Sequence, residues 1–150
     1  MKLTTKGRYA VTAVLDLAIH QHEGPVSLAA ISERQGISLS YLEQLFSKLR
    51  RNEVVKSTRG PGGGYKLLKS AHDITISDVI VAIDENCQVA ACDDTGGCQG
   101  DYQCLTHDLW QEISNEIRNF LDGISLAEVM AGDVVTDISV RQDKKAAMNL

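Results

Sequence analysis

Three cysteines and one histidine, Cys92, Cys98, Cys104 and His107, stand five, five and two residues apart. Thiolate and neutral imidazole are the side chains that bind borderline-soft metals, and four of them complete either a tetrahedral zinc site or a [2Fe–2S] cluster. Structural zinc sites usually take ligand pairs from knuckles with only about two to four residues between the cysteines, so these gaps are wide for zinc. A two-iron rhomb holds its ligand pairs further apart than one ion does, and the gaps suit it better. Glycines at 96, 97 and 100 let a short loop wrap an inorganic core without steric conflict. Zinc, and cysteines that are merely buried or incidental in a loop, are the competing readings. Cys87 is a spare thiol, read as a small buried hydrophobe. Asp93-Asp94, between two ligands, tunes or solvates the loop. His20, His22 and His72 lie far from the set and are read as surface or cap residues. No H-E-x-x-H, nucleophile elbow or further Cys/His/Asp trio is present, so the chain is not read as an enzyme.

The segments that position this set carry very uneven charge. Residues 1–70 hold eleven Lys/Arg against five acids, a balance of +6, and residues 71–150 hold four against fifteen, a balance of −11. Such a split points to a first half that meets a polyanion and a second half with another task; chance scatter of surface charge is the plainer alternative. The longest apolar run, Val79–Ile83, has five residues, far short of the ~18 that suggest a membrane span. Met1-Lys2-Leu3-Thr4-Thr5-Lys6-Gly7 contains no apolar stretch of the kind a secretory signal needs. The expectation is a cytoplasmic protein with no membrane partner, in a reducing compartment where cysteines serve as ligands or redox groups rather than disulfides.

Apolar periodicity orders the elements. Val11, Val14, Leu15 and Ala18 predict a helix over Gly7–Gln21, broken by Gly24-Pro25. Ser27 caps a short helix through Gln35, with Leu28 and Ile31 inward, and Gly36 ends it. Ser40 and Glu43 have the S-x-x-E spacing of a capping box. Leu42, Leu45, Phe46 and Leu49 then form an apolar stripe, leaving Ser40, Gln44, Ser47 and Arg51 on the opposite face. A short helix, a glycine turn and an amphipathic helix make a helix-turn-helix pattern. Val54–Thr58 and Tyr65–Leu68 read as strands joined by the loop Arg59-Gly60-Pro61-Gly62-Gly63-Gly64. With no G-x-G-x-x-G, no G-K-[ST] and no helix after it, this is not a phosphate-cradling loop; it is the wing of a winged helix. Thr75 opens a helix with Ile76, Val79, Ile80 and Ile83 inward, and an irregular stretch, Asn86–Gln103, follows. In a long helix over Leu105–Ile124, residues Trp110, Ile113, Ile117, Phe120 and Ile124 are spaced 3-4-3-4, a heptad seam. Cys104 and His107 sit at its start, where the positive dipole end favours a net-anionic group. Ser125 and Glu128 form a second capping-box spacing, and beyond Val140 the periodicity fades. The expected class is mainly α with a small β-hairpin wing: a winged helix-turn-helix DNA-binding domain over 1–85, a cluster-binding loop over 86–104, a dimerisation helix and C-terminal helix over 105–140, and a flexible tail over 141–150.

Ser38, Ser40, Tyr41, Glu43 and Gln44 open the second helix of the motif, the end at which recognition helices meet base edges. Gln44 can bond adenine bidentately and Glu43 can accept from cytosine N4. Glu43 is equally the capping partner of Ser40, and the two roles compete. A carboxylate among phosphates is costly without a donor, so Glu43 would penalise operators that lack a suitable cytosine. Arg59, with Gly60 at the wing tip, suits a narrow minor groove, where negative potential concentrates. Lys2, Lys6, Arg8, Arg50, Arg51 and Lys56 are read as phosphate contacts, which position without reading sequence, or as a merely solvated basic face. The heptad seam pairs with its twin, giving a homodimer and a palindromic operator in double-stranded DNA; packing against its own domain is the alternative. Because the ligands border this helix, cluster binding is expected to order the Asn86–Gln103 loop and shift the wings relative to the dimer axis.

Met1–Ala10, Ile31–Phe46, Arg59–Tyr65 and the Cys3His set resemble the iron–sulfur cluster regulators, a family of dimeric winged-helix bacterial repressors. The resemblance covers about residues 1–140; Cys87 and the segment after Val140 depart from it. It implies a transcription factor whose [2Fe–2S] cluster is held by Cys92, Cys98, Cys104 and His107 and supplied by the iron–sulfur assembly machinery. Cluster occupancy would then change which promoters are repressed or activated, including that of the cluster-assembly genes. A zinc-stabilised repressor without sensing, and an iron–sulfur carrier, are the other readings; a carrier leaves Arg59 and the wing glycines unexplained.

Overall fold

The computed structural model describes residues 4–85, 100 and 102–149. The described elements are α1 (Thr5–His20), a single 3-10 turn (Gln21–Glu23), α2 (Leu28–Gln35), α3 (Leu39–Arg51), β1 (Val55–Thr58), β2 (Gly64–Leu67), α4 (Ile76–Ala82), α5 (His107–Asp122), α6 (Leu126–Met130) and α7 (Asp133–Met148). Hydroxyl side chains start five of these helices: Thr4, Ser27, Ser38, Thr75 and Ser125 each accept a backbone N–H from the first turn, groups that would otherwise lack a partner. Only Thr75 forms a reciprocal box among them, through Asp78.

The core is continuous from α1 to α6. Ala10, Ala13, Val14 and Leu17 of α1, Ile31 of α2, Leu42, Phe46 and Leu49 of α3, Val79 and Ile80 of α4, and Leu126 of α6 are fully buried together. The inward face of α1 is rotated from the expected one: Val11 and Leu15 are half-buried and line the groove beneath α7, while small alanines let the other helices approach. β1 and β2 pair antiparallel, Val55 opposite Leu67 and Thr58 opposite Gly64. Val26, just before α2, extends this ribbon by exchanging two hydrogen bonds with Tyr65, at 2.9 and 2.7 Å. A Cβ on Gly64 would run into the Val26 carbonyl, so only glycine permits the approach.

Two segments depart from the sequence expectation. The chain beyond Val140 is not a flexible tail but the second half of α7, helical to Met148 and bonded to α2 through Gln142. The seam of the long helix is also shorter than its five members suggest. Helix α5 ends at Asp122. Ile124 lies beyond it, where its carbonyl accepts from Ile76 N–H and its side chain packs on the protein's own core. Among the described residues no helix is long and apolar enough to cross a membrane.

Candidate functional site

Helix α3 begins two residues earlier than its S-x-x-E spacing implies. The cap is Ser38, whose hydroxyl accepts from Tyr41 N–H at 3.3 Å. Ser40 is therefore already inside the helix, and Glu43 takes no part in capping. Its carboxylate is exposed on the outer face with Ser40, Gln44, Ser47 and Arg51, which together with Lys48 line a shallow concavity. The opposite face, Leu42, Leu45, Phe46 and Leu49, is buried. Tyr41 stands between the two, half-buried and edge-on to Tyr9 of α1 at 5.8 Å; it anchors the start of α3 rather than standing free of it.

The hairpin flanks this face. Arg50 Nη1 donates to Ser57 Oγ at 3.5 Å, joining the end of α3 to β1. Phe46 packs against Tyr65 of β2 at 5.0 Å, a second link between α3 and the hairpin. Arg59 and Gly60 are exposed at the tip, Gly60 in the left-handed region at φ 98. Arg8, Arg50, Arg51 and Lys56 are exposed as well; Lys2 lies outside the described residues. Lys6 is less free. Its amine is held below the ordinary lysine value, chiefly by a hydrogen bond with Lys48 and then by burial. Lys48 is held above that value by the same bond and by Asp84, whose carboxylate is 3.3 Å away.

Of the four expected metal ligands, Cys104 and His107 are described; Cys92 and Cys98, with the spare Cys87 and the pair Asp93-Asp94, lie outside the described residues. Cys104 and His107 share one turn at the start of α5, where His107 N–H donates to the Cys104 carbonyl at 3.2 Å. His107 is buried and Cys104 partly so. Thr106 completes the turn. Its hydroxyl accepts the Trp110 indole N–H at 2.8 Å and lies 3.8 Å from Cys104 Sγ. Either the thiol or the hydroxyl can be the donor of this contact, whereas a thiolate sulfur would only accept. Two donors at the positive end of a helix, with a hydroxyl beside one of them, fit a net-anionic sulfur-rich centre. Leu105, expected inside the helix, is fully exposed ahead of it.

Along α5, Trp110, Ile113 and Ile117 are half-buried and Phe120 is 66% exposed, as is Leu109 at 50%. The apolar seam is thus only partly covered by its own chain. One arrangement escaped the sequence entirely. Asp16, 2% exposed, takes both Nε and Nη2 of Arg34, at 3.0 and 2.7 Å, and His20 bridges from this pair to α7. Nothing in apolar periodicity marks such a group; the only signal was an acid in an otherwise apolar helix face.

Residues 3–132 match the Rrf2 family, described as "Iron-dependent Transcriptional regulator". The chain is 58% identical over 149 residues to the HTH-type transcriptional regulator IscR of Aliivibrio salmonicida, covering 99% of this chain and 89% of that one. It is 57% identical to IscR of Photorhabdus laumondii, covering 99% and 92%. Among solved structures it is similar to T. potens IscR, with TM-score 0.70 and 41% identity over 87% of this chain and 86% of that one. It is also similar to CymR, the global cysteine regulator of B. subtilis, with TM-score 0.73 and 34% identity over 86% and 95%.

Proposed function

The chain belongs to the Rrf2 family of transcriptional regulators, and on that premise we propose that it is a homodimeric sensor of iron–sulfur status that governs cluster-assembly genes. Helix α3 and the wing read the operator. A [2Fe–2S] cluster held by Cys92, Cys98, Cys104 and His107, received from the iron–sulfur assembly machinery, carries the signal. The observation that most supports the DNA half is the Ser38 cap, because it leaves Ser40, Glu43 and Gln44 together on an open face beside Arg51.

In this reading Gln44 bonds a base edge and Glu43 accepts from a cytosine N4 or else repels the site. Arg59 enters the minor groove, and Arg8, Arg50, Arg51 and Lys56 fix the register on phosphates. Lys2 does so from the N-terminal end. Lys6, which pairs with Lys48, is placed among these phosphate contacts as well. When bound, a [2Fe–2S] group supplies a redox-active centre that oxidation or iron shortage can dismantle. The chain's own part is to hold it: His107 must present a neutral nitrogen, and a Cys104 thiolate would accept from the Thr106 hydroxyl beside it. Because these residues open α5, occupancy is transmitted along the dimer seam to the spacing of the two wings. The division into a reader over 1–85, a sensor over 86–104 and a dimer element from 105 follows from that reading.

The test is operator selection with purified protein from randomised duplexes, followed by binding of Gln44→Ala and Glu43→Ala. Gln44→Ala should lower affinity for the selected site by about 5- to 150-fold, the loss of one bidentate base contact of about 1–3 kcal/mol. Glu43→Ala should retain that site and gain sites without the cytosine. Unchanged selection by both variants would remove α3 as the reader.

A further inference from the structure

Helix α7 closes over a polar cluster that neither the DNA face nor the ligand set uses. Asp16, fully buried at its carboxylate, accepts Arg34 bidentately and also Gln35 Nε2 at 2.7 Å. Gln35 in turn exchanges two amide hydrogen bonds with Gln142 of α7, both 2.9 Å. His20, at the end of α1, faces an acceptor on each side: Nδ1 is 2.8 Å from the Asp16 carbonyl oxygen, and Nε2 is 2.8 Å from Asp143 Oδ1 of α7. A carbonyl oxygen only accepts, and an ionised carboxylate only accepts. Both ring nitrogens must therefore carry hydrogen for the two contacts to exist together.

We propose that α7 is a proton-dependent latch, in which doubly protonated His20 ties Asp143 of α7 to the helix-turn-helix scaffold and loss of one proton lets Asp143 go. The proposal stands apart from the DNA and cluster readings. The charged groups around the ring come from every element packed there: Asp16 of α1, 3.4 Å from Nδ1, Asp143 of α7, and Glu23 and Arg34, which line the same cleft as His20. Arg34 is ion-paired with Asp16 at 2.7 Å. Which contact fails on deprotonation follows from position. The Asp16 carbonyl lies four residues back on the same helix, whereas the Asp143 carboxylate is half exposed and water can replace its donor. The latch is thus closed at the acid end of about pH 5–8, the range in which histidine changes charge, and opens toward the alkaline end. A groove of about 200 Å³ already lies between α1 and α7, lined by Val11, Leu15, Ile19, Val135 and Ile138, and release of α7 would uncover these apolar side chains.

The experiment is hydrogen exchange of residues 134–148 in the full chain, expressed as protection factors, from about pH 6 to about pH 8. Wild-type protection should fall with rising pH, by at most about tenfold per pH unit, the limit for one proton. Asp143→Asn should abolish the fall, because its amide can donate to the bare Nε2 of a neutral ring and so keeps the contact at either end. His20→Gln should give low protection that does not change with pH. A flat wild-type profile overturns the latch, and so does a wild-type-like fall in His20→Gln, which would place the titration elsewhere.

Discussion

Ser38 and Ser40 are two residues apart, and which of them caps α3 decides what Glu43 is free to do. The S-x-x-E spacing pointed to Ser40 as the cap, because spacing alone does not say where the backbone turns. Ile37 decides it: its side chain is buried at 4% exposure, which pins the turn so that Ser38 is the last extended residue. Cys104 and His107 fall on one turn at the start of α5, as residues three apart can, but the Thr106 hydroxyl between Trp110 and Cys104 was not legible, because a threonine carries no spacing signal. Asp16 was equally silent. Its carboxylate neutralises Arg34, whose guanidinium is held above its ordinary value chiefly by hydrogen bonding to Asp16. Removing one partner strands a buried charge, so Asp16→Ala should lower unfolding stability by about 3–5 kcal/mol. Denaturant titration checks this, and a change below ~1 kcal/mol would mean the pair is solvated in solution.

Helices with an apolar stripe were legible as elements, and α7 was not. Its attachment is made by Gln142 and Asp143, polar side chains whose partners lie over 100 positions away, so no local period announces it. The hairpin was legible because glycine and proline punctuate it, although β1 starts one residue later than read and β2 is displaced by one residue. Its stiffness was not: the bonds between Val26 and Tyr65 pair the wing with a segment that reads as a plain linker. A wing held this way presents Arg59 at a fixed place relative to α3. Arg59→Ala should weaken operator binding and lower the slope of log affinity against log salt by about one. A slope equal to wild type would leave Arg59 out of the interface.

At the scale of the molecule, one chain leaves Phe120 and Leu109 on the surface while Trp110, Ile113 and Ile117 are only half covered. A two-fold partner would cover this seam and set two α3 helices against successive half-sites. Ile117→Glu should therefore shift sedimentation from dimer toward monomer and lower operator affinity, since a charge would be buried at the interface; an unaltered dimer would place the contact elsewhere. Cys104 and His107, two of the proposed ligands, stand at the start of the same helix, so in the proposed reading they share one element with the seam. That sharing would be the physical basis for sensing, and it depends on what the Cys3His set binds. The most direct test is anaerobic purification followed by a visible absorption spectrum, with iron, sulfide and zinc assayed on the same sample. A reddish-brown protein with about two irons and two sulfides per chain is the predicted result. A colourless protein carrying one zinc would contradict it, making the set structural and the chain a DNA-binding regulator without a cluster to read.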